Sequence, residues 1–152
     1  MGIRKDVFME IGGFSDMRFG EDVDFSYKVK EGGYSSRLFE QSWVYHKRRN
    51  TLRSFFKQVF NSGIARIHLT KRHPGSLKPV HMLPAVFFTG CIFLAVMAIL
   101  VSIWFMAPLV LLWAILFMDS SIRKKSVVTG CYSVITSCIQ LWGYGSGFLI
   151  GW

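Results

Sequence analysis

Residues 82–118 read MLPAVFFTGCIFLAVMAILVSIWFMAPLVLLWAILFM and contain no charged side chain. As one continuous helix, this stretch would be about 55 Å long, whereas the hydrocarbon core of a bilayer is about 30 Å thick. It therefore predicts a hairpin of two membrane spans, at residues 82–103 and 106–121. Pro84 and Pro108 would fall in the first turn of each helix, where the missing N–H breaks no hydrogen bond.

A second uncharged stretch, residues 126–152, follows the basic cluster at residues 123–125. It predicts a third span, at residues 126–150, although this span is the most polar of the three. Its glycines recur every four residues, at Gly143, Gly147 and Gly151, a spacing that lets another helix approach closely. The alternative is a loosely structured, glycine-rich end. We expect residues 82–152 to form an all-α transmembrane region of about three helices.

Charge is distributed unevenly along the chain. The 152 residues carry 18 Lys and Arg against 9 Asp and Glu, a formal net charge of +9. Residues 41–81 contain basic residues and no acidic one. A basic segment directly before an apolar stretch is typical of the cytoplasmic side of a membrane, where it meets anionic lipid. We therefore expect membrane lipids as partners, no nucleic acid, and a location in the plasma (inner) membrane with residues 1–81 in the cytoplasm.

Short helices and strands are expected in the N-terminal part, residues 1–50. Residues 3–11 and 21–31 each have helical patterning and are followed by a Gly-Gly pair that can end a helix. Residues 36–39 and 43–46 are typical of two brief strands. Residues 51–81 then predict a basic amphipathic juxtamembrane segment, which would lie on the lipid surface or pack as an ordinary helix on the preceding domain.

An acidic run, Gly20-Glu21-Asp22-Val23-Asp24, opens the second of these helices. One interpretation is that acids at a helix N-terminus interact favourably with the helix dipole. Another is that Asp22 and Asp24 form a metal-binding Asp-x-Asp pair. Helix geometry argues against the metal, because side chains two residues apart point about 200° apart around the axis.

Three segments in order resemble the C-terminal part of the catalytic domain of membrane-anchored family 2 glycosyltransferases. They are IRKDVFMEIGGF at residues 3–14, GEDVDFSYKVKEGGY at residues 20–34 and VYHKRR at residues 44–49. The resemblance covers about residues 1–70 and rests on the order and spacing of the segments together. It implies a partial GT-A-type α/β fold in residues 1–50, before the juxtamembrane segment and the transmembrane region.

The same resemblance implies an activity. Asp22 matches the family's general base, with Glu21 as its supporting neighbour, in an inverting transfer of a sugar from a nucleotide-sugar donor to an acceptor hydroxyl. The acceptor would be lipid-linked or a saccharide, in envelope polysaccharide or glycolipid synthesis. His46, Arg48 and Arg49 resemble basic positions that approach the diphosphate or its metal. The alternatives are a hydrogen-bonded histidine at a strand end and a solvated or lipid-facing arginine patch.

A divalent cation, Mg²⁺ or Mn²⁺, is also implied, with its Asp-x-Asp ligands expected upstream of residue 1. On this hypothesis the donor-binding half precedes these residues, Met1 is an internal or late start, and the chain alone is inactive. The alternative function is that of a small membrane adaptor without catalysis.

Overall fold

The computed structural model of the chain describes residues 2–45 and 51–152. These residues form six α-helices, which we number in chain order, and two short 3₁₀ turns, Pro79–His81 and Ile103–Met106. The helices are α1 (Lys5–Glu10), α2 (Glu21–Glu31), α3 (Leu52–Arg72), α4 (Leu83–Leu100), α5 (Ala107–Lys124) and α6 (Val127–Gly151).

The predicted α/β fold class is wrong for the part of the chain that the structure describes. That part contains no strand, and the segments predicted as strands, residues 36–39 and 43–45, are irregular. Residue 46 lies outside the described residues. Apolar residues of these segments are highly exposed, including Leu38 at 87% and Tyr45 at 93%. A strand requires hydrogen bonds to a neighbouring strand, and these segments have none here, so their β-forming residues do not produce a sheet.

Two helical segments are long and apolar enough to cross a membrane. They are Leu83–Leu100, with a mean hydropathy of 2.5, and Ile103–Lys124, with a mean hydropathy of 1.9. Only 11% of the first and none of the second is buried inside the protein. Pro84 and Pro108 each stand in the first turn of their helix. The apolar surfaces of α4 and α5 therefore face outward instead of forming a protein core.

The prediction of a third span, at residues 126–150, is wrong. These residues do form a helix, α6, but the described part of the chain has two segments apolar enough to cross a membrane, and α6 is not one of them. Serine, threonine and Gln140 lower its hydropathy. Its buried positions are mainly glycines, and α3, α4 and α5 all pack against it. The alternative of a loosely structured end is also wrong, because α6 is a continuous helix of 25 residues.

Closely packed glycines join α6 to α3, and we call this contact the glycine seam. A Cβ on Gly143 would meet Phe56, one on Gly147 would meet the backbone of Phe60, and one on Gly151 would meet Ile64. Both series advance four residues at a time in the same direction, so the helices run parallel in a fixed register. The four-residue glycine spacing predicted a close helix approach, and the structure assigns that approach to α3.

Gly63 of α3 completes the glycine seam from the other side. A Cβ there would lie 2.6 Å from the Phe148 backbone nitrogen and 3.0 Å from the Gly147 carbonyl carbon. From the sequence, Gly63 is a residue that weakens a helix. In the structure it is the position that lets the α6 backbone reach α3.

The other two long helices, α4 and α5, also pack against α6. A Cβ on Gly145 would lie 2.8 Å from Cβ of Phe88 in α4, and the Phe88 ring meets Trp142 edge-on with centroids 5.3 Å apart. In α5, the hydroxyl of Ser120 donates to that of Ser133, 2.7 Å away. A small buried cluster of Ile67, Ala85 and Phe148 marks the place where α3, α4 and α6 meet.

Replacing one seam glycine tests this packing. Gly147→Ala places a methyl group against the backbone of Phe60, which cannot move aside as a flexible side chain would. We expect a loss of about 1 to 3 kcal/mol in the free energy of unfolding, the usual range for overpacking, measured by thermal unfolding in detergent micelles.

Gly90→Ala in α4 is the matched control, because a Cβ at Gly90 meets no atom within 4 Å. It should leave stability unchanged or raise it by up to about 1 kcal/mol, since alanine favours helix over glycine. Equal effects of the two substitutions would contradict the glycine seam.

Candidate active site

The acidic pair Glu21 and Asp22 stands at the exposed start of α2. Gly20 precedes the helix with a φ of 80°, a left-handed conformation that glycine adopts without strain. A Cβ on Gly20 would lie 3.2 Å from Cβ of Ala65 in α3, so the start of α2 is held close to that helix. Both carboxylates are exposed, and Asp22 Oδ1 accepts a hydrogen bond from the Val23 backbone N–H at 2.9 Å. A solute can reach them.

Asp24 lies on the opposite side of α2 and is completely buried, with 0% exposure. Its Oδ2 accepts a hydrogen bond from the Ser15 hydroxyl, and Oδ1 lies 3.0 Å from Nε2 of His73. The ammonium of Lys28, one turn further along α2, lies 3.7 Å from Oδ2. Asp22 and Asp24 therefore do not converge on one ion, in agreement with the helix geometry argued from the sequence.

His73 is buried directly after the end of α3 and has a carboxylate at each ring nitrogen. Nε2 faces Asp24, and Nδ1 lies 2.7 Å from Oε1 of Glu31. The ring also stacks on Tyr27, with centroids 4.9 Å apart and planes 24° apart. An ionised carboxylate only accepts hydrogen bonds, so both ring nitrogens satisfy their partners only when both carry hydrogen. The geometry fits a charged imidazolium between two carboxylates.

Protonation behaviour follows from these contacts. Burial alone lowers the pKa of His73, but hydrogen bonds to Glu31 and Asp24 outweigh it and raise the pKa above its ordinary value of 6.5. Burial alone raises the pKa of Asp24, but hydrogen bonds from Ser15 and His73, with Lys28 nearby, outweigh it and lower the pKa below 3.8. Both groups are thus held in their charged forms.

The residues predicted from the sequence fall into two groups. Glu21 and Asp22 are described, adjacent and exposed. His46, Arg48 and Arg49 lie outside the described residues. Sequence reasoning missed His73, which is 49 residues from Asp24 along the chain. No local pattern signals such a contact, because His73 simply follows an amphipathic helix.

No three His, Cys, Asp or Glu side chains come together to hold a metal ion in residues 2–45 and 51–152. The group formed by His73, Asp24 and Glu31 does not offer such a site either, because both ring nitrogens of His73 already face carboxylates. The described residues therefore do not fit the divalent cation that the family resemblance implies.

A cleft of about 1130 Å³ lies beside α1 and the middle of α2. Its walls include Arg4, Val7, Val29, Lys30 and Tyr34, but neither Glu21 nor Asp22. The cleft is therefore separate from the acidic pair.

Two matched substitutions on α2 test the different environments of its aspartates. Asp24→Asn removes a buried charge and leaves His73 with an incomplete set of partners, so we expect the free energy of unfolding to fall by about 3 kcal/mol. Asp22→Asn, at an exposed position, should change it by less than about 0.5 kcal/mol. Unfolding in denaturant, followed by circular dichroism, measures both. Similar losses for the two variants would contradict the burial of Asp24.

Comparison with known proteins identifies a family. The family model described as "Glycosyl transferase family group 2" matches residues 1–120, from α1 through most of α5, and so includes the acidic pair and the first apolar helix. No curated protein and no solved structure matches the chain. The family match covers most of the chain and agrees with the resemblance seen in the sequence, and the chain therefore belongs to glycosyl transferase family group 2.

Proposed function

We propose that this chain carries the acceptor-side general base of a membrane-bound glycosyltransferase. The reaction is transfer of a sugar from a nucleotide-sugar donor to an acceptor hydroxyl, with inversion at the anomeric carbon. Family membership supports the transferase chemistry. The observation that carries the assignment of the base is the exposure of Asp22 next to an Asp24 that is buried and already hydrogen-bonded.

The proposed step needs one base. The acceptor oxygen attacks the anomeric carbon on the face opposite the nucleoside diphosphate, and the bond between that carbon and the diphosphate oxygen breaks. The hydroxyl proton passes to the carboxylate of Asp22 as the new bond forms. The diphosphate leaves as a stable anion, so the second carboxylate that glycosidases use as a general acid is not required.

Asp22 suits this role better than the other acids of α2. Asp24 is inaccessible, and its oxygens face Ser15 and His73. Asp22 is exposed in the first turn of the helix, where an acceptor hydroxyl can reach its carboxylate. Glu21 would support it as a neighbouring carboxylate.

The leaving diphosphate requires positive charge. We assign this role to His46, Arg48 and Arg49 on the family resemblance, because cationic donors stabilise charge that develops on phosphate oxygens. Mg²⁺ or Mn²⁺ is expected from the family, and the described residues offer no site for it.

The plasma (inner) membrane is the proposed location, with residues 1–81 on the cytoplasmic side. The support is the outward-facing apolar surface of α4 and α5, which lipid would cover. The turn between them carries Trp104, 80% exposed, a residue type that prefers the membrane interface. A lipid-linked or saccharide acceptor would then be modified close to the membrane, in polysaccharide or glycolipid synthesis.

Asp22→Asn tests the base directly. A carboxamide cannot accept the hydroxyl proton, so we expect turnover to fall about 10²- to 10⁴-fold while donor affinity stays nearly unchanged. Turnover is measured with the full-length protein in its native membranes. Asp16→Asn, an acid in the preceding loop, serves as a control and should retain turnover. Near-normal turnover of Asp22→Asn would show that another group is the base.

The membrane arrangement has its own test. In a background without Cys91, Cys131 and Cys138, a cysteine at Ile103 and one at Lys124 should react with a membrane-impermeant thiol reagent from opposite sides. Both positions are exposed in the structure, so poor access within the protein would not explain a difference. Labelling of both positions from the same side would contradict a hairpin across the membrane.

A further inference from the structure

A single histidine joins α2 to the end of α3. The backbone N–H of His73 caps α3 by donating to the Leu69 carbonyl at 2.8 Å. The chain then turns through Gly75, with a φ of 87°, towards the Pro79–His81 turn and α4. His73 thus stands where the helix of the glycine seam ends and the connection to the first apolar helix begins.

The contacts of His73 span two turns of α2. Asp24, Tyr27 and Glu31 lie three or four residues apart and share one face of the helix, and each of them meets the imidazole ring. A ring held at both nitrogens and on one face has little freedom to rotate. These contacts therefore fix both the position of α2 and its rotation about its own axis.

Rotation of α2 matters because the two aspartates face opposite sides. With Asp24 held against His73, Asp22 is directed to the exposed side. Lys28 extends the attachment, because its ammonium lies near Asp24 and donates to the Gly13 carbonyl at 3.2 Å. Ser15, from the same loop, donates to Asp24. The loop before α2 is therefore held together with the helix.

We propose that His73, as an imidazolium, is a positioning residue that holds α2 and its Asp22 in a fixed orientation against the end of α3. The catalytic part of this statement rests on the proposed function. The structural part, the contact between α2 and His73, does not depend on that function. In this contact the charge of the buried carboxylate of Asp24 is balanced by the charged ring of His73.

The attachment should depend on pH within a defined window. The raised pKa of His73 means that its stabilising effect is complete below pH 6.5 and is lost as pH rises through the higher pKa of the folded state. The lowered pKa of Asp24 means that its effect is complete above pH 3.8 and is lost as pH falls through the lower folded value. Among the described residues, the ring of His73 contacts Asp24, Tyr27 and Glu31 of α2. The ammonium of Lys28, also on α2, lies near Asp24.

The first measurement is amide hydrogen exchange of α2 in the full chain, corrected for the intrinsic effect of pH. His73→Gln should make α2 exchange about 10²-fold faster, because an unbalanced buried carboxylate opens the contact. His68→Gln, the same substitution at an exposed histidine of α3, is the control and should leave exchange unchanged. Unchanged exchange of α2 in His73→Gln would overturn the proposal.

Glu31→Gln provides a milder second variant, because the Glu31 side chain is 58% exposed and its loss should not prevent folding. Removing this carboxylate should lower the titration midpoint of His73, measured by nuclear magnetic resonance of labelled histidine. The pH at which α2 loses protection, and the alkaline limb of turnover, should move down by the same amount. The positioning role would be overturned if the titration midpoint of His73 moved while the pH of lost α2 protection and the alkaline limb of turnover did not change.

The outcomes also separate this proposal from the proposed function. One outcome is that protection of α2 from hydrogen exchange depends on His73 but wild-type membranes transfer no sugar. The sugar-transfer proposal then fails, and the positioning role fails with it. The structural contact between His73 and α2 still stands. If sugar transfer occurs and depends on Asp22, but the pH profile of turnover does not move with the titration midpoint of His73, the proposed function stands and the positioning role is wrong.

Discussion

Backbone contact between α3 and α6 is the constraint on which the rest of the structure depends. Gly63 on one helix and Gly143, Gly147 and Gly151 on the other leave room for the two backbones to pack together. Glycine has no Cβ, so two helix backbones can approach more closely at glycines than at larger residues. Because α4 and α5 also pack on α6, the glycine seam fixes α3 relative to the apolar helices.

A continuous series of contacts then links the apolar helices to the proposed base. The seam holds α3, the end of α3 carries His73, and His73 holds the face of α2 opposite Asp22. The buried charges of Asp24 and His73 stabilise each other, and neither would be tolerated alone. Burial of one aspartate and exposure of the other divides an acidic run that looks uniform in sequence into a structural residue and a candidate base.

Sequence patterns correctly predicted the features that depend only on residues close together in the chain. An uncharged stretch containing Pro84 and Pro108, a helix opening at Glu21 and a glycine repeat in α6 all needed only neighbouring residues, and the ordered motifs pointed to the correct family. The strands were predicted wrongly because a strand depends on a partner elsewhere. The third span was predicted wrongly because freedom from charge was taken for hydrophobicity. The pairing of His73 with Asp24 joins residues 49 apart and leaves no local trace.

Inverting sugar transfer is the activity proposed for this member of glycosyl transferase family group 2. Native membranes containing the full-length protein can be supplied with a series of nucleotide sugars, and the anomeric configuration of the product read by nuclear magnetic resonance. The proposed function predicts that at least one donor releases its nucleoside diphosphate and yields a glycoside of the opposite anomeric configuration. Transfer with retained configuration, or no release from any donor relative to membranes lacking the protein, would contradict it.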